Sequence, residues 1–470
     1  MEQISIFDGN YEFKITQPIR LIELFAGYDS QHLALKYLGL DVESYRICEW
    51  AVKSIQAYKD LHFGNDNTDY SEHYTTEDLI DFLHCRGISA DYNKPMTIEQ
   101  IKRMGEKKIR QVYNNIIATH NLVSVTNTHA VNLDIVDTNK YCYIMTYSFP
   151  CQDLSKAGMG KGMAKDSGTR SGLLWEVERL LNEMDNRPQV LLMENVPDVV
   201  GAKNIKDFAL WLEALENLGY KNYRRILNGK EFEIPQNRER CFMVSILGDY
   251  YYEFPEPMPL KLRLKHLLEE KVDEKYYLSD SIIKYFERHT EECKEKGNGF
   301  RFTPSDGDCI ARAVTTRAGG RMDDNFIEEP RCIQEGMLSG GKWDKMIDQS
   351  RKYYNTEGLS PTIPTSCGGN HEPKIIEPLA YDEQNQYIRQ DGCIGTLTTD
   401  GSSPKHNNRI IEVTRRIRKL TPRECFRLMG VKDEDFDKLQ KNQSNSSLYH
   451  LAGDSIITNV LMAIFKMMIE

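Results

Sequence analysis

The chain has 470 residues, more than one hydrophobic core usually supports, so two domains are the expectation. Its 40% hydrophobic and 28% charged content is ordinary for a globular protein, and a net charge of −10 argues against a chain that coats nucleic acid indiscriminately, while leaving room for a nucleic-acid enzyme with a local basic cleft. The opening "MEQISIFDGNYEFKI" lacks the build of a secretory leader, no apolar run approaches the roughly 20 residues of a membrane span, and the 11 cysteines are odd in number with no C-x-x-C pair, so a cytoplasmic chain of free thiols with no membrane and no metal site is expected.

In chain order, "IRLIELF" (Ile19–Phe25) predicts a buried strand, followed by a tight Ala26-Gly27 turn and a helix over "SQHLALKYLG". "SYRICEW" predicts a second strand with an acidic end. Residues 61–130 are polar and helix-like, and read as an insertion. "YCYIMTYSF", "QVLLMEN" and "RCFMVSIL" predict further buried strands. Between them, "LLWEVERLLNEM" places Leu174, Val177, Leu181 and Met184 on one helical face, and "FALWLEALENLG" does the same with Phe208, Leu212, Leu215 and Leu218. Strands alternating with helices predict an α/β fold with a doubly wound, mostly parallel sheet whose ligands sit at the carboxyl ends of the strands.

Past "FPEPMPL" the character changes, giving expected domains of 1–255, a smaller turn-rich 256–417, and 418–470 returning to the first. The middle region holds three similar stretches, "ARAVTTRAGGRMDDNFIEE", "SPTIPTSCGGNHEPKIIE" and "IGTLTTDGSSPKHNNRIIE"; three unrelated β-hairpins or a duplication both account for them. In the tail, Thr421, Pro422 and Glu424 form a helix start, and "NVLMAIFKMM" predicts a buried closing helix.

Chemistry collects at the strand ends. Gly27 allows close backbone approach to a ligand, and Glu49, 22 residues on, stands where a carboxylate takes a ribose hydroxyl; an ordinary β–α turn has the same form. Cys151 follows Pro150 at another strand end, ahead of a loop with glycines at 158, 160, 162, 168 and 172, a composition that suits a closing lid over a nucleophile. Glu194 ends an apolar run, where burial raises a carboxyl pKa toward neutrality. Arg238 and Arg240 alternate on one extended face behind a glutamine, suited to clamping a planar polar group or a phosphate.

Taken together, F-A-G, an acidic strand end, P-C-Q, E-N-V and Q-x-R-x-R in this order resemble the DNA cytosine-C5 methyltransferases. The wording "YSFPCQDLS", "GTRSGLLWEVER" and "LLMENV" is similar to the branch containing a bacterial CpG methylase. The resemblance covers well over half the chain. It implies methylation of cytosine C5 in a specific double-stranded DNA sequence, with S-adenosyl-L-methionine as cofactor. Cys151 would attack C6 of a flipped cytosine, Glu194 would serve N3, Arg240 would contact O2 and support Glu194, and Arg238 would assist at the base or its sugar-phosphate. The cofactor would touch Phe25, Gly27, Glu49 (ribose), Trp50 (adenine), Asp134 and Ile135, Pro150, Leu174, Asp454 and Ser455. Residues 256–417 would be the target recognition domain, reading the major groove, with the three threonine-glycine stretches as duplicated recognition elements. A monomer is expected, and family habit implies a cognate restriction endonuclease.

The chain departs from the family pattern twice. Tyr28, Asp29 and Ser30 stand where second and third glycines are usual, implying crowding at the cofactor's methionine end. Gly453-Asp454-Ser455 replaces G-N-S, which keeps an acceptor and loses an amide donor. Two alternatives stand beside this reading: a related enzyme acting on tRNA cytosine, and a catalytically silent DNA-binding relative.

Overall fold

The structure, a computed structural model, describes residues 11–154, 162–165, 167–297, 299–329 and 416–469, and beyond those the strand segments 334–337, 352–355, 374–376, 380–382 and 387–389. The chain divides into two compact units: Met1–Val272 with Gly307–Asn325 and Leu420–Glu470, and Asp273–Asp306 with Phe326–Lys419.

The larger unit is built on six strands: β1 (Ile19–Leu24), β2 (Val42–Cys48), β3 (Cys142–Tyr147), β4 (Val190–Asn195), β5 (Tyr220–Asn228) and β6 (Glu239–Leu247). Their order is β2-β1-β3-β4-β6-β5. The first four pair in parallel, and β6 runs antiparallel to both β4 and β5. β3 and β4 are buried along their whole length, as strands covered on both faces must be, and so they read as unbroken apolar runs. β5 is an edge strand of alternating exposure, and its sequence "YKNYRRILN" carries too many polar residues to announce a strand. Because the chain leaves β1 for β2 on one side and returns to β3 on the other, a crevice opens at the carboxyl ends of β1 and β3.

Helix α1 (Ser30–Tyr37) follows β1, and α2 (Val52–His62) follows β2. The turn between β1 and α1 holds left-handed backbone at Phe25 (φ +62°), Gly27 (+60°) and Asp29 (+80°). Only one of the three is glycine, and the other two each cost about 1 kcal/mol or more. Helices α3 (Thr76–Arg86), α4 (Ile98–Lys102) and α5 (Glu106–Ala118) make the insertion, with α3 and α4 started by capping boxes at Thr75 and Thr97. They are not merely polar: Leu79, Leu83, Ile101, Ile109, Val112 and Ile116 close a core of their own against Ile55 of α2.

Helix α6 (Leu174–Glu183) buries Leu174, Val177 and Leu181 as its pattern predicts. In α7 (Ile205–Asn217) the buried face is Phe208, Trp211 and Leu215, one position round from the predicted stripe, with Leu212 and Leu218 only partly covered. The cause is Trp211, which sits edge-on to Tyr147 and Trp175 and pulls the helix toward the sheet.

At the tail, Thr421 caps a short helix at Pro422–Arg427 with Glu424 completing the box. Residues Asn445–Lys466 are long and apolar enough to span a membrane by composition, but form two helices, α8 (Asn445–Asp454) and α9 (Thr458–Lys466), and are largely buried in the unit; α9 packs on α1.

The sequence boundary at 255 does not coincide with the compact units. The chain stays with the sheet to Val272, and residues 307–325 rejoin it. Ala311–Arg312 pairs in parallel with Gln236–Asn237, while Phe326–Glu329 pairs with Arg416–Lys419. The first threonine-glycine stretch is therefore no hairpin: its two ends belong to different sheets. The second and third stretches lie outside the described residues apart from Lys374–Ile376. Within the smaller unit, the 16-residue helix Asp280–Glu295 packs Phe286 against Phe302 and Phe326, and the fully buried Arg418 pairs with Glu329.

Candidate active site

The strand ends of the larger unit converge on a cavity of about 510 Å³. Cys151 reaches it from the loop after β3, and that loop is held at several points. Asn195 Nδ2 donates to the Phe149 carbonyl (2.9 Å), Ser171 Oγ donates to that of Pro150 (2.7 Å), and the Leu154 amide donates to that of Cys151 (3.0 Å). Asp153 carries the restraint outward. Its Oδ2 accepts the Arg170 amide (2.8 Å), and Arg170 Nη1 donates to Asn93 Oδ1 of the insertion (2.9 Å). Of the glycine-punctuated loop, residues 155–161 and 166 lie outside the described residues, and Gly162 and Gly168 adopt left-handed backbone.

Glu194 and Arg240 form the second wall. Glu194 lies opposite Phe242 in the β4–β6 ladder, so Arg240, two residues earlier on β6, is its diagonal neighbour on the same face. Arg240 Nε stands 3.0 Å from Glu194 Oε1. Burial raises the Glu194 pKa, an effect that Arg240 and Arg238 oppose. The Cys151 thiol is also raised, by burial first and by Glu194 second, with Arg240 opposing. Such a shift favours the thiol over the thiolate.

The Q-x-R-x-R segment divides in two. Gln236 is fully buried; its Nε2 donates to the Leu428 carbonyl (2.7 Å) and its Oε1 accepts the Val314 amide (2.9 Å). Arg238 gives Nη1 to the Val314 carbonyl (2.9 Å) and Nη2 to those of Gly453 (2.9 Å) and Ser455 (2.8 Å). Arg238 also lines the cavity, the place that its expected role at the base or its sugar-phosphate needs, while its Nη1 and Nη2 hydrogen bonds go to backbone carbonyls and, with Gln236, fasten two segments distant in sequence at the mouth of β6. Gly453 serves the same joint, since a Cβ there would run into the backbone of Thr315 and Thr316. Arg240 alone of the three presents its head to Glu194.

The predicted cofactor residues are placed unevenly. Phe25, Gly27, Glu49, Trp50, Pro150, Asp454 and Ser455 all line the cavity. Glu49 accepts the amides of Gly27 (2.8 Å) and Ala51 (2.7 Å), and burial pushes its carboxyl up to about 7. Asp454 is pushed up to about 6 by burial. Three predictions are corrected. Asp134 is away from the cavity, with its carboxylate on Tyr45 and Arg46, and Ile135 does not line it. The insertion takes that place with Ser124, Val125, Thr126 and Asn127. Leu174 faces the core, and its neighbour Leu173 lines the cavity. Tyr28 lays its ring against Phe426 (centroids 5.3 Å apart), and the cavity remains open beside it.

Sequence reasoning missed Asn121, whose side chain exchanges two hydrogen bonds with the backbone of Glu49 (3.1 and 2.9 Å). It also missed Tyr92, whose ring lies tilted against that of His450 with centroids 4.2 Å apart; both line the cavity. No local signal marks either residue. His450 Nε2 is buried in the lining with no hydrogen-bond partner among the described residues, and Trp50 and Phe25 line the same cavity as Glu49. An acid, flat rings and an unused polar atom fit an adenosyl ligand.

Comparison with known proteins agrees with this arrangement. Residues 82–470 match the model of the C-5 cytosine-specific DNA methylases. The chain is 30% identical over 452 residues to the type II methyltransferase M2.ScrFI of Lactococcus lactis subsp. cremoris, covering 95% of this chain and 98% of that one. It is 35% identical over 289 residues to the orphan methyltransferase M.SssI of Spiroplasma monobiae, covering 60% and 72%. Among solved structures, the S. pombe Dnmt2 methyltransferase superposes with a TM-score of 0.52 at 15% identity over 96% of this chain and 98% of that one, a likeness of fold.

Proposed function

The chain belongs to the C-5 cytosine-specific DNA methylases, enzymes that transfer methyl from S-adenosylmethionine to cytosine in DNA, and from that premise we propose that Cys151, Glu194 and Arg240 carry the reaction in this protein. The observation that supports it most is the 3.0 Å contact of Arg240 with Glu194 in the cavity that Cys151 enters. S-Adenosylmethionine, when bound, supplies a methyl carbon made electrophilic by its sulfonium. Phe25, Gly27, Glu49, Trp50, Pro150, Asp454 and Ser455 would hold it.

The chain's own residues do the rest. Cys151 gives its proton up to solvent as sulfur bonds to C6 of the extruded cytosine. Glu194, raised by burial, gives a hydrogen bond or proton to N3, so that the electron pair displaced from the C5–C6 bond settles toward the ring nitrogen and C5 becomes nucleophilic. Arg240 orients Glu194 and faces the base. After C5 is methylated, solvent takes the C5 proton, the pair from that bond reforms the C5–C6 double bond, and the sulfur leaves C6 as a thiolate that regains a proton from solvent. Asn195 and Ser171 hold the sulfur in line by fixing the two carbonyls before it.

The reading extends to the smaller unit, Asp273–Asp306 with Phe326–Lys419, as the part that selects the DNA sequence, with the second and third threonine-glycine stretches as its recognition elements; the threonines and glycines of the first belong to the larger unit. It places a monomer on duplex DNA in the cytoplasm, alongside a restriction endonuclease. Relatives named type II and relatives named orphan both occur, so digestion of host DNA with and without the enzyme is the check on that partner. Bisulfite sequencing of DNA from cells expressing the protein, with tritiated methyl transfer to DNA and tRNA side by side, tests the function. Modified cytosines at one recurrent DNA sequence are expected. Label in tRNA alone, or in neither polymer, contradicts the reading.

A further inference from the structure

Behind the turn that follows β1 lies a second cluster of chemistry that the methyl transfer does not use. Asp29 accepts the His32 amide on Oδ1 (2.5 Å), capping α1, and turns Oδ2 inward. His32 Nδ1 stands 3.3 Å from that oxygen and His62 Nε2 stands 3.2 Å from it. The side chains of Asp29 and His62 are 0% and 3% exposed, and all three atoms are buried without a hydrogen-bond partner. His62 is hydrogen-bonded to the Tyr28 backbone, and Nε2, its nitrogen without a hydrogen-bond partner, faces the Asp29 carboxylate.

Glu23, also fully buried, lies beside Asp29 and is held well above the usual carboxylate range by burial and by Asp29, and neither pairs with a Lys or Arg among the described residues. A carboxylate oxygen and two imidazole nitrogens thus converge in a buried site away from any Lys or Arg. Two imidazoles and one carboxylate are the donors that borderline divalent metals take. Metal–ligand bonds of about 2.0–2.2 Å set neighbouring ligand atoms about 3 Å apart, close to the spacing of Asp29 Oδ2 from each ring. The hydrogen bond of His62 to the Tyr28 backbone is the outer contact that fixes the tautomer of a metal-binding histidine.

We propose that Asp29, His32 and His62 form a binding site for one divalent transition-metal ion, zinc foremost. The three ligand atoms lie within 4.8 Å of one another. As placed, the two rings stack with centroids 4.5 Å apart, so in-plane approach of both to one ion requires the His32 ring, the more exposed at 14%, to turn. The site explains why this chain departs from glycine after F-A-G: an aspartate in left-handed backbone is retained because it is a ligand. The ion's role is structural. His62 ends α2, the helix that starts beside Trp50, and Asp29 starts α1, so one ion ties together both walls of the cofactor cavity.

The test uses the full-length protein, stripped with chelator and titrated with Zn2+ alone and with Co2+ alone. About one ion per chain in the protein as isolated is expected, with a melting temperature lowered by chelator and restored by Zn2+. The Co2+ spectrum should show nitrogen and oxygen ligands without the thiolate charge-transfer band that the 11 cysteines would produce. His62→Gln and Asp29→Asn should each lower retained metal by about tenfold or more. Less than about 0.1 ion per chain together with no melting shift on Zn2+, a thiolate spectrum, or wild-type retention in His62→Gln overturns the proposal. If both variants fail to fold, the stoichiometry and Co2+ spectrum of the wild-type protein decide.

Discussion

The two ends of the sheet's carboxyl edge handle charge in opposite ways. At the β4–β6 end, Glu194 meets Arg240 at 3.0 Å, and Arg238 acts on it from the adjoining joint. At the β1–β2 end, Glu23, Asp29 and Glu49 are all buried, and none pairs with a Lys or Arg among the described residues; Glu49 rests on two backbone amides instead. The first end is balanced, which suits an uncharged base that gains charge only as it reacts. The second gathers three carboxyls with no Lys or Arg beside them, and burial holds Glu23 and Glu49 toward their neutral forms, so a cation arriving there, the sulfonium of the cofactor in the cavity or the metal ion proposed behind it, would favour their ionised forms.

The contrast can be broken from either end. Cys151→Ala should abolish turnover, by about 10⁴-fold or more, with cofactor affinity kept, as tritium transfer and equilibrium binding will show. Glu194→Gln should cost about 10³-fold in kcat with little change in KM. In the wild-type enzyme the protonated form of Glu194 is present below its raised pKa, so the rate should fall as pH rises through it. Arg240 lowers that pKa, so in Arg240→Ala the falling limb should move to higher pH. Arg238→Ala, two residues away, should behave differently. It strips three backbone carbonyls of their donor and should cost about 3 kcal/mol of stability, read from the denaturant midpoint at unchanged m.

How far the sequence reached follows the same division. Strands covered on both faces, Cys142–Tyr147 and Val190–Asn195, were legible because burial forces continuous apolar runs. Cys151, Glu194 and Glu49 were legible because strand ends carry chemistry. The joint that Arg238 makes was not legible, because its partners, Val314, Gly453 and Ser455, lie 76 to 217 residues away and only the fold brings them near. Asp134 was misplaced because the insertion delivers Ser124–Asn127 to the cavity first, a matter of loop path that spacing does not encode. Tyr92 and Asn93 were invisible for the same reason.

At the β1–β2 end, Glu49→Gln should remove a pH dependence. The Glu49 pKa is higher folded, about 7, than its ordinary 4.5, so unfolding releases a proton between those values. Its contribution to stability is full below 4.5 and is lost as pH rises to 7, a span of about 3 kcal/mol that the variant should lack. The smallest effect belongs to the link between the two ends. Asn93→Ala frees Arg170 Nη1 and should lower kcat about threefold while leaving the melting temperature in place.

The most direct test is to incubate the enzyme and S-adenosylmethionine with DNA carrying 5-fluorocytosine at the target, then digest the trapped complex for mass spectrometry. Fluorine at C5 cannot leave as a proton does, so the account predicts a stable adduct on the peptide containing Cys151, absent in Cys151→Ser. An adduct on any other residue, or methylated product accumulating without an adduct, would contradict it.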